Sequence, residues 1–141
     1  MKRSASAVWT GGLKDGKGTI SGPSGALKDT PYTFKSRFEN DPQSNPEELI
    51  AAAHAGCFSM ALSNILGQAG FPPERIATTA DLTLDFVDGK PTITTIHLNT
   101  SAKVPKIDKA AFEKAANDAK DGCPVSRVLN AKITMDAKLE S

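Results

Sequence analysis

The sequence predicts an α+β fold in one domain spanning residues 1–141, and three observations carry that prediction. Short period-two segments separated by Gly-rich turns fill the first forty residues, a long uncharged stretch follows a Pro-Glu-Glu start, and two further strands, two helices and a last strand complete the chain. At 141 residues the chain is long enough to bury one real core and short for two.

In the first segment Ala5, Ala7 and Trp9 alternate with polar positions until Gly11 and Gly12, and a second strand covers about Gly16 to Ser21. After the turn Gly22-Pro23-Ser24-Gly25, a third strand is expected from Pro31 to Glu39. Tyr32, Phe34 and Phe38 would share one of its faces, and Thr33, Lys35, Arg37 and Glu39 the other. Asn45 then suits a helix N-cap, Pro46 the first helical position and Glu48 the third, where its carboxylate can close a capping box. That helix should run to about Leu66 and stop at Gly67 or Gly70, ahead of Phe71-Pro72-Pro73. Leu82, Leu84 and Phe86 alternate in the next strand, Asp88-Gly89 makes a hairpin turn, and its partner covers Thr92 to about Ala102. Asp108 caps a helix from Lys109 to Lys120 with Phe112, Ala115, Ala116 and Ala119 inward, and Gly122 ends it. Cys123-Pro124 opens a short helix to about Leu129, and Ala131, Ile133, Met135 and Ala137 alternate in the final strand.

Composition excludes several classes. Seventeen basic residues against sixteen acidic give a net charge of +1, and the basic residues are scattered, so no nucleic-acid partner is expected. The opening MKRSASAVWT lacks an apolar h-region, which leaves a cytoplasmic address as the expectation. No charge occurs between Glu48 and Glu74, yet Ala, Gly, Ser, Asn and His make up much of that run. It reads as a helix buried in protein, with no membrane partner expected. Two cysteines outside any CxxC unit suit neither a disulfide framework nor a zinc ribbon, and fit a reducing compartment.

Those two cysteines are the first candidates for chemistry. Cys57 lies in mid-helix, where a free thiol commonly serves as a small hydrophobe. Cys123 directly precedes Pro124 at a helix start, where unpaired N–H groups favour a thiolate, which makes it the better redox candidate by position. His54, one turn before Cys57, is either a locally satisfied helix histidine or part of a metal site. The latter would need Cys123 and His97 as further ligands at spacings that match no common set, so no metal is expected.

The segments NPEELIAAAHAGCFSMAL, from Asn45 to Leu62, and GCPVSRVL, from Gly122 to Leu129, closely resemble the OsmC branch of the OsmC and Ohr family of hydroperoxide reductases. The likeness extends from the Ala-Val-Trp of the first strand to the last strand. It implies a β(3)-α-β(2)-α(2)-β subunit in an intertwined homodimer around buried central helices. It also implies a thiol peroxidase with no cofactor, in which Cys57 is the peroxidatic thiolate and Cys123 the resolving cysteine. Arg37 becomes the guanidinium beside the thiolate, and Glu47 the carboxylate that orients Arg37. In the Ohr branch the matching Arg sits earlier in the chain, so an Arg on the Thr33-to-Glu39 strand sides with OsmC. The substrates implied are bulky organic hydroperoxides, and the reductant a lipoyl-type dithiol.

Chemistry explains why such residue types are needed. An unperturbed thiol near pKa ~8.5 is only about 3% ionised at neutral pH. An Arg at about 4 Å is worth up to ~4 kcal/mol at an effective dielectric near 20, before desolvation is subtracted. The same cation stabilises the departing alkoxide, and a second thiol traps the sulfenic acid as a disulfide. By alternation alone Arg37 would be a solvated surface residue. Glu47 at the second helical position is free of capping duty, whereas Glu48 is not. Glu47 and Cys57 are ten residues apart on one helix, about 15 Å of rise, so an Arg held by Glu47 is expected to serve the thiolate of another subunit across small residues such as Ala52, Ala53 and Gly56. Phe38, Phe58, Met60 and Phe71 are candidates for an apolar pocket or for plain core. The competing reading is a non-catalytic stress or small-ligand binding protein on the same fold, with unreactive cysteines.

Overall fold

Ten elements follow one another in the computed structural model, which describes residues 1–141. They are β1 (Ser6–Thr10), β2 (Lys17–Ser21), β3 (Thr30–Tyr32), α1 (Phe34–Phe38), α2 (Pro46–Gln68), β4 (Arg75–Val87), β5 (Lys90–Lys103), α3 (Lys109–Gly122), α4 (Pro124–Val128) and β6 (Lys132–Leu139). Contacts group them into two units, Met1–Leu49 and Ile50–Ser141.

In the first unit β1, β2 and β3 form an antiparallel sheet in that order. Gly18 lies where the Trp9 and Tyr32 rings, 5.4 Å apart, close over β2, and a Cβ there would come within 2.5 Å of the tyrosine ring. The expected strand from Pro31 to Glu39 is not formed: it stops at Tyr32, and residues Phe34–Phe38 are helical. The cause is a capping box. Thr33 Oγ1 accepts from the Ser36 N–H at 3.1 Å and the Thr33 N–H donates to Ser36 Oγ at 2.9 Å, which pairs donors that a strand would have paired across the sheet. Phe34 and Phe38 are four apart, a spacing that puts them on one face of a strand or a helix alike. As a helical pair their ring centroids are 4.9 Å apart.

The helix start at Asn45 forms as expected: its Oδ1 accepts from the Glu48 N–H at 2.7 Å, while its Nδ2 donates to the Ser36 carbonyl at 2.9 Å. Only this half of the expected box forms, because Glu48 makes no return bond to the Asn45 N–H. At the other end α2 continues to Gln68, and Gly70, at φ +86°, lets the Phe71 N–H reach the Leu66 carbonyl at 2.9 Å.

In the second unit β4 and β5 are an antiparallel hairpin closed by Asp88 and Gly89, both at positive φ, and β6 adds to β5 in parallel, giving the order β4-β5-β6. Register puts Ile96 between Leu82 and Ile133, Leu98 between Ala80 and Met135, and Ala102 between Ile76 and Leu139. This apolar face joins Phe58, Leu62 and Leu66 of α2 and Phe112, Ala115, Ala116 and Ala119 of α3 in one core. Asp108 caps α3 through the Ala111 N–H at 2.8 Å, and the four inward residues are those its 3.6-residue period assigns.

The helix α2 departs from expectation in its burial. Its mean hydropathy is 1.5 over eighteen residues, high enough with its length to cross a bilayer, yet only one stripe, His54, Phe58, Leu62 and Leu66, is buried within the chain. Ala52, Ala53, Gly56 and Met60 are exposed. Fully buried Phe112 sits at the centre of the core, so Phe112→Ala should cost about 3–5 kcal/mol, read as a lowered midpoint in urea unfolding.

Candidate active site

The candidate residues gather in two constellations, one in each unit. In the first, the capping box at Thr33 turns the chain into α1, and the double duty of Asn45 ties the end of that turn to the start of α2. Arg37 of α1 thereby faces Glu47 in the first turn of α2. The pair is bidentate: Nη2 donates to Oε1 at 2.6 Å, and Nε lies 3.1 and 3.3 Å from the two carboxylate oxygens. The guanidinium also lies over the Phe38 ring, 5.2 Å from its centroid. Glu47 is 11% exposed and Arg37 36%, so the carboxylate is the buried anchor and the cation the presented group. Nη1 makes no hydrogen bond with the protein and remains available. The helical geometry of residues 34–38 corrects the strand expected for Arg37, but the pairing with Glu47 is the one expected.

In the second unit the turn from α3 to α4 delivers Cys123 to α2. The Cys123 N–H ends α3 on the Ala119 carbonyl at 2.9 Å, and Pro124 starts α4. The Cys123 thiol and the Val125 N–H both lie near enough to the Cys57 sulfur to shift its pKa. Exposure reverses the positional expectation: Cys123 is fully buried, whereas mid-helix Cys57 is partly exposed. The Val125 N–H of that helix start acts on the Cys57 pKa, and Cys123 makes no side-chain cap bond. Burial pushes the Cys57 thiol above its ordinary value, the neighbouring Cys123 thiol pushes it further, and the Val125 N–H opposes both. Within the second unit alone, therefore, Cys57 is mostly protonated at neutral pH.

His54 is fully buried beside this pair, with Nε2 2.7 Å from Ser126 Oγ, and burial lowers its pKa so that the ring is neutral. His97 lies elsewhere on β5, hydrogen-bonded through Nδ1 to Thr134 at 2.5 Å and through Nε2 to Asp136 at 3.0 Å. Of the candidate pocket residues, Phe58 is fully buried in the core, Phe71 packs against it and Met60 is exposed on α2. Phe38 stacks with Phe34 in the first unit.

Comparison with known proteins agrees with this architecture. The family model described as OsmC-like protein matches residues 39–138. The chain is 53% identical over 141 residues to Peroxiredoxin OsmC of Escherichia coli strain K12, covering all of this chain and 99% of that one, and equally similar to the protein of the same name in Shigella flexneri. The chain belongs to the OsmC-like protein family. Its fold is the OsmC-like fold, matching an OsmC-like protein from Mycoplasma pneumoniae with a TM-score of 0.77 over 100% and 99% of the two chains at 13% identity. An organic hydroperoxide resistance protein from Elizabethkingia anophelis gives a TM-score of 0.72 over 99% of each chain at 21% identity. Sequence reasoning singled out both sulfurs as candidates and anticipated the Arg37–Glu47 pair. It missed the Val125 N–H, a backbone donor with no side-chain signature, and the His54–Ser126 bond.

The two causes assigned to Cys123 both raise the Cys57 pKa. Cys123→Ala should therefore move the pH profile of Cys57 alkylation by iodoacetamide towards lower pH, increasing the rate at any fixed pH below the native midpoint.

Proposed function

We propose that the chain is a thiol peroxidase that reduces organic hydroperoxides, with Cys57 as nucleophile and Cys123 as resolving thiol. The observation that carries this reading is a partly exposed thiol with a fully buried one near enough to shift its pKa. The accessible sulfur can be reached by a peroxide, and the buried one is shielded until it is needed. The Cys57 thiolate attacks the distal peroxide oxygen, the O–O bond breaks, and the alkoxide takes a proton to leave as alcohol. Cys57 is left as a sulfenic acid. The Cys123 thiol then attacks that sulfur, an S–S bond forms, and the hydroxyl leaves as water with the thiol proton. A dithiol, of lipoyl type in this proposal, reduces the disulfide and returns both thiols in a reducing cytoplasm.

Because burial raises the Cys57 pKa, the mechanism requires a cation that the second unit does not supply. Arg37, oriented by Glu47 and keeping Nη1 free, is the cation assigned to that task. We place it on the thiolate of a second copy of the chain. An Arg fixed to Glu47 starts about 15 Å of helix rise from Cys57. The bare small-residue face of α2 gives a second α2 room for close approach. The protein is then an obligate homodimer with two shared sites.

Three results are expected. Consumption of cumene hydroperoxide with dihydrolipoamide is abolished in Cys57→Ser, and activity surviving that change would end the peroxidase reading. Arg37→Ala lowers kcat/KM at pH 7 by on the order of 100-fold or more, the weight of one preorganised charge, and the loss shrinks as rising pH ionises Cys57 without help. Mixed refolding of Cys57→Ser with Arg37→Ala chains restores about a quarter of native activity, since half the dimers are mixed and each carries one intact site. No recovery on mixing would place Arg37 in the same chain as its thiolate.

A further inference from the structure

Helix α4 is five residues long, has no side-chain cap at Cys123 and contains no buried residue. A single turn has no stability of its own, so its position depends on what ties it to the rest of the protein. It nonetheless carries the two groups that act on the Cys57 pKa, since Cys123 opens it and the Val125 N–H lies in its first turn. Ser126 is the next residue along, and its hydroxyl is 2.7 Å from Nε2 of His54, one turn before Cys57 on α2.

His54 occupies a position where an apolar side chain would be the ordinary choice. It begins the buried stripe that continues with Phe58, Leu62 and Leu66, and it is fully buried. Its Nδ1 is sealed from solvent and has no hydrogen-bond partner. A buried polar atom left unpaired costs stability, so the imidazole is not there for packing, and the bond it does make is what distinguishes it from a leucine. An unpaired acceptor costs less than an unpaired N–H, which places the proton on Nε2, donating to Ser126 Oγ, and leaves Nδ1 as the bare lone pair.

We propose that His54 is a positioning residue for the resolving step, its hydrogen bond to Ser126 pinning the Cys123–Ser126 segment on α2 so that the Cys123 thiol and the Val125 N–H stay on the Cys57 sulfur. The proposal rests on the peroxidase reading and assigns the control of its second half. The sulfenic acid on Cys57 has two fates. Attack by the Cys123 thiol forms the S–S bond and releases water, with no further oxidant. A second hydroperoxide molecule instead transfers an oxygen, giving sulfinic acid and alcohol. The first path is intramolecular and its rate follows the fraction of time Cys123 is in reach, whereas the second grows with peroxide concentration. Loosening α4 therefore shifts the partition towards sulfinic acid.

The test compares native protein with Ser126→Ala, Ser126→Thr and His54→Gln, the last two retaining a group able to make the bond. Ser126 is only partly buried, so alanine fits without a new clash. Mass spectrometry should find more Cys57 sulfinate per turnover in Ser126→Ala than in native protein, by roughly threefold to tenfold, the weight of one buried hydrogen bond in an equilibrium. Ser126→Thr should return the ratio towards native. In the absence of peroxide, the alkylation profile of Cys57 in Ser126→Ala should move to lower pH, because the loosened segment withdraws the Cys123 thiol, which raises the Cys57 pKa more than the Val125 N–H lowers it. His54→Gln should fall between Ser126→Ala and native in both readouts. A native protein inert towards hydroperoxides ends the peroxidase reading, and the alkylation profile then decides the tether alone. A folded Ser126→Ala with native sulfinate ratio and native alkylation profile overturns the proposal.

Discussion

Bringing the Cys123 thiol near enough to Cys57 to act on it is the constraint that the second unit has to meet. It needs a helix that presents a thiol from mid-span, a second helix that ends on time, and a tight restart that turns a buried sulfur towards the first. The Ala119 carbonyl closes α3 on the Cys123 N–H, and Pro124, unable to donate, begins α4 without leaving an orphan. The apolar face of β4, β5 and β6 holds α2 and α3 on one core, which fixes the distance the turn must span.

The electrostatics of the pair run against reactivity within one chain. Burial and a neighbouring thiol both favour the protonated form of Cys57, and one backbone N–H opposes them. Such a sulfur stays protonated when no cation is near it, and a cation beside it would favour the thiolate. The first unit prepares a cation in the opposite way, with a bidentate carboxylate fixing one edge of Arg37 and leaving the other free. These two groups, together with a long apolar helix buried along one stripe only, are the physical basis of the proposal that the complete site lies in a dimer.

Much of this was legible in the sequence because it is encoded locally. The Asn45 and Asp108 caps, the Asp88-Gly89 turn and the inward face of α3 each depend on residues within a few positions of one another. The segment Phe34–Phe38 was misread because an i, i+4 aromatic pair fits both a strand and a helix. The decisive Thr33–Ser36 box was hidden in a stretch that otherwise alternates. The two candidate sulfurs and the Arg37–Glu47 ion pair were singled out by a family resemblance. The Val125 N–H and the His54–Ser126 bond were not, since the first is a main-chain group and the second joins residues whose approach only the fold sets. The order of exposure of the two cysteines was likewise invisible, because it depends on the packing around each sulfur in the folded chain.

The most direct check on the central claim is peptide mapping under non-reducing conditions after the reduced protein has received one equivalent of an organic hydroperoxide. The account predicts a single new cross-link joining the Cys57 and Cys123 peptides of the same chain, with the hydroperoxide converted to alcohol in equal amount. Recovery of both cysteines as free thiols, or of a cross-link between chains, would contradict it.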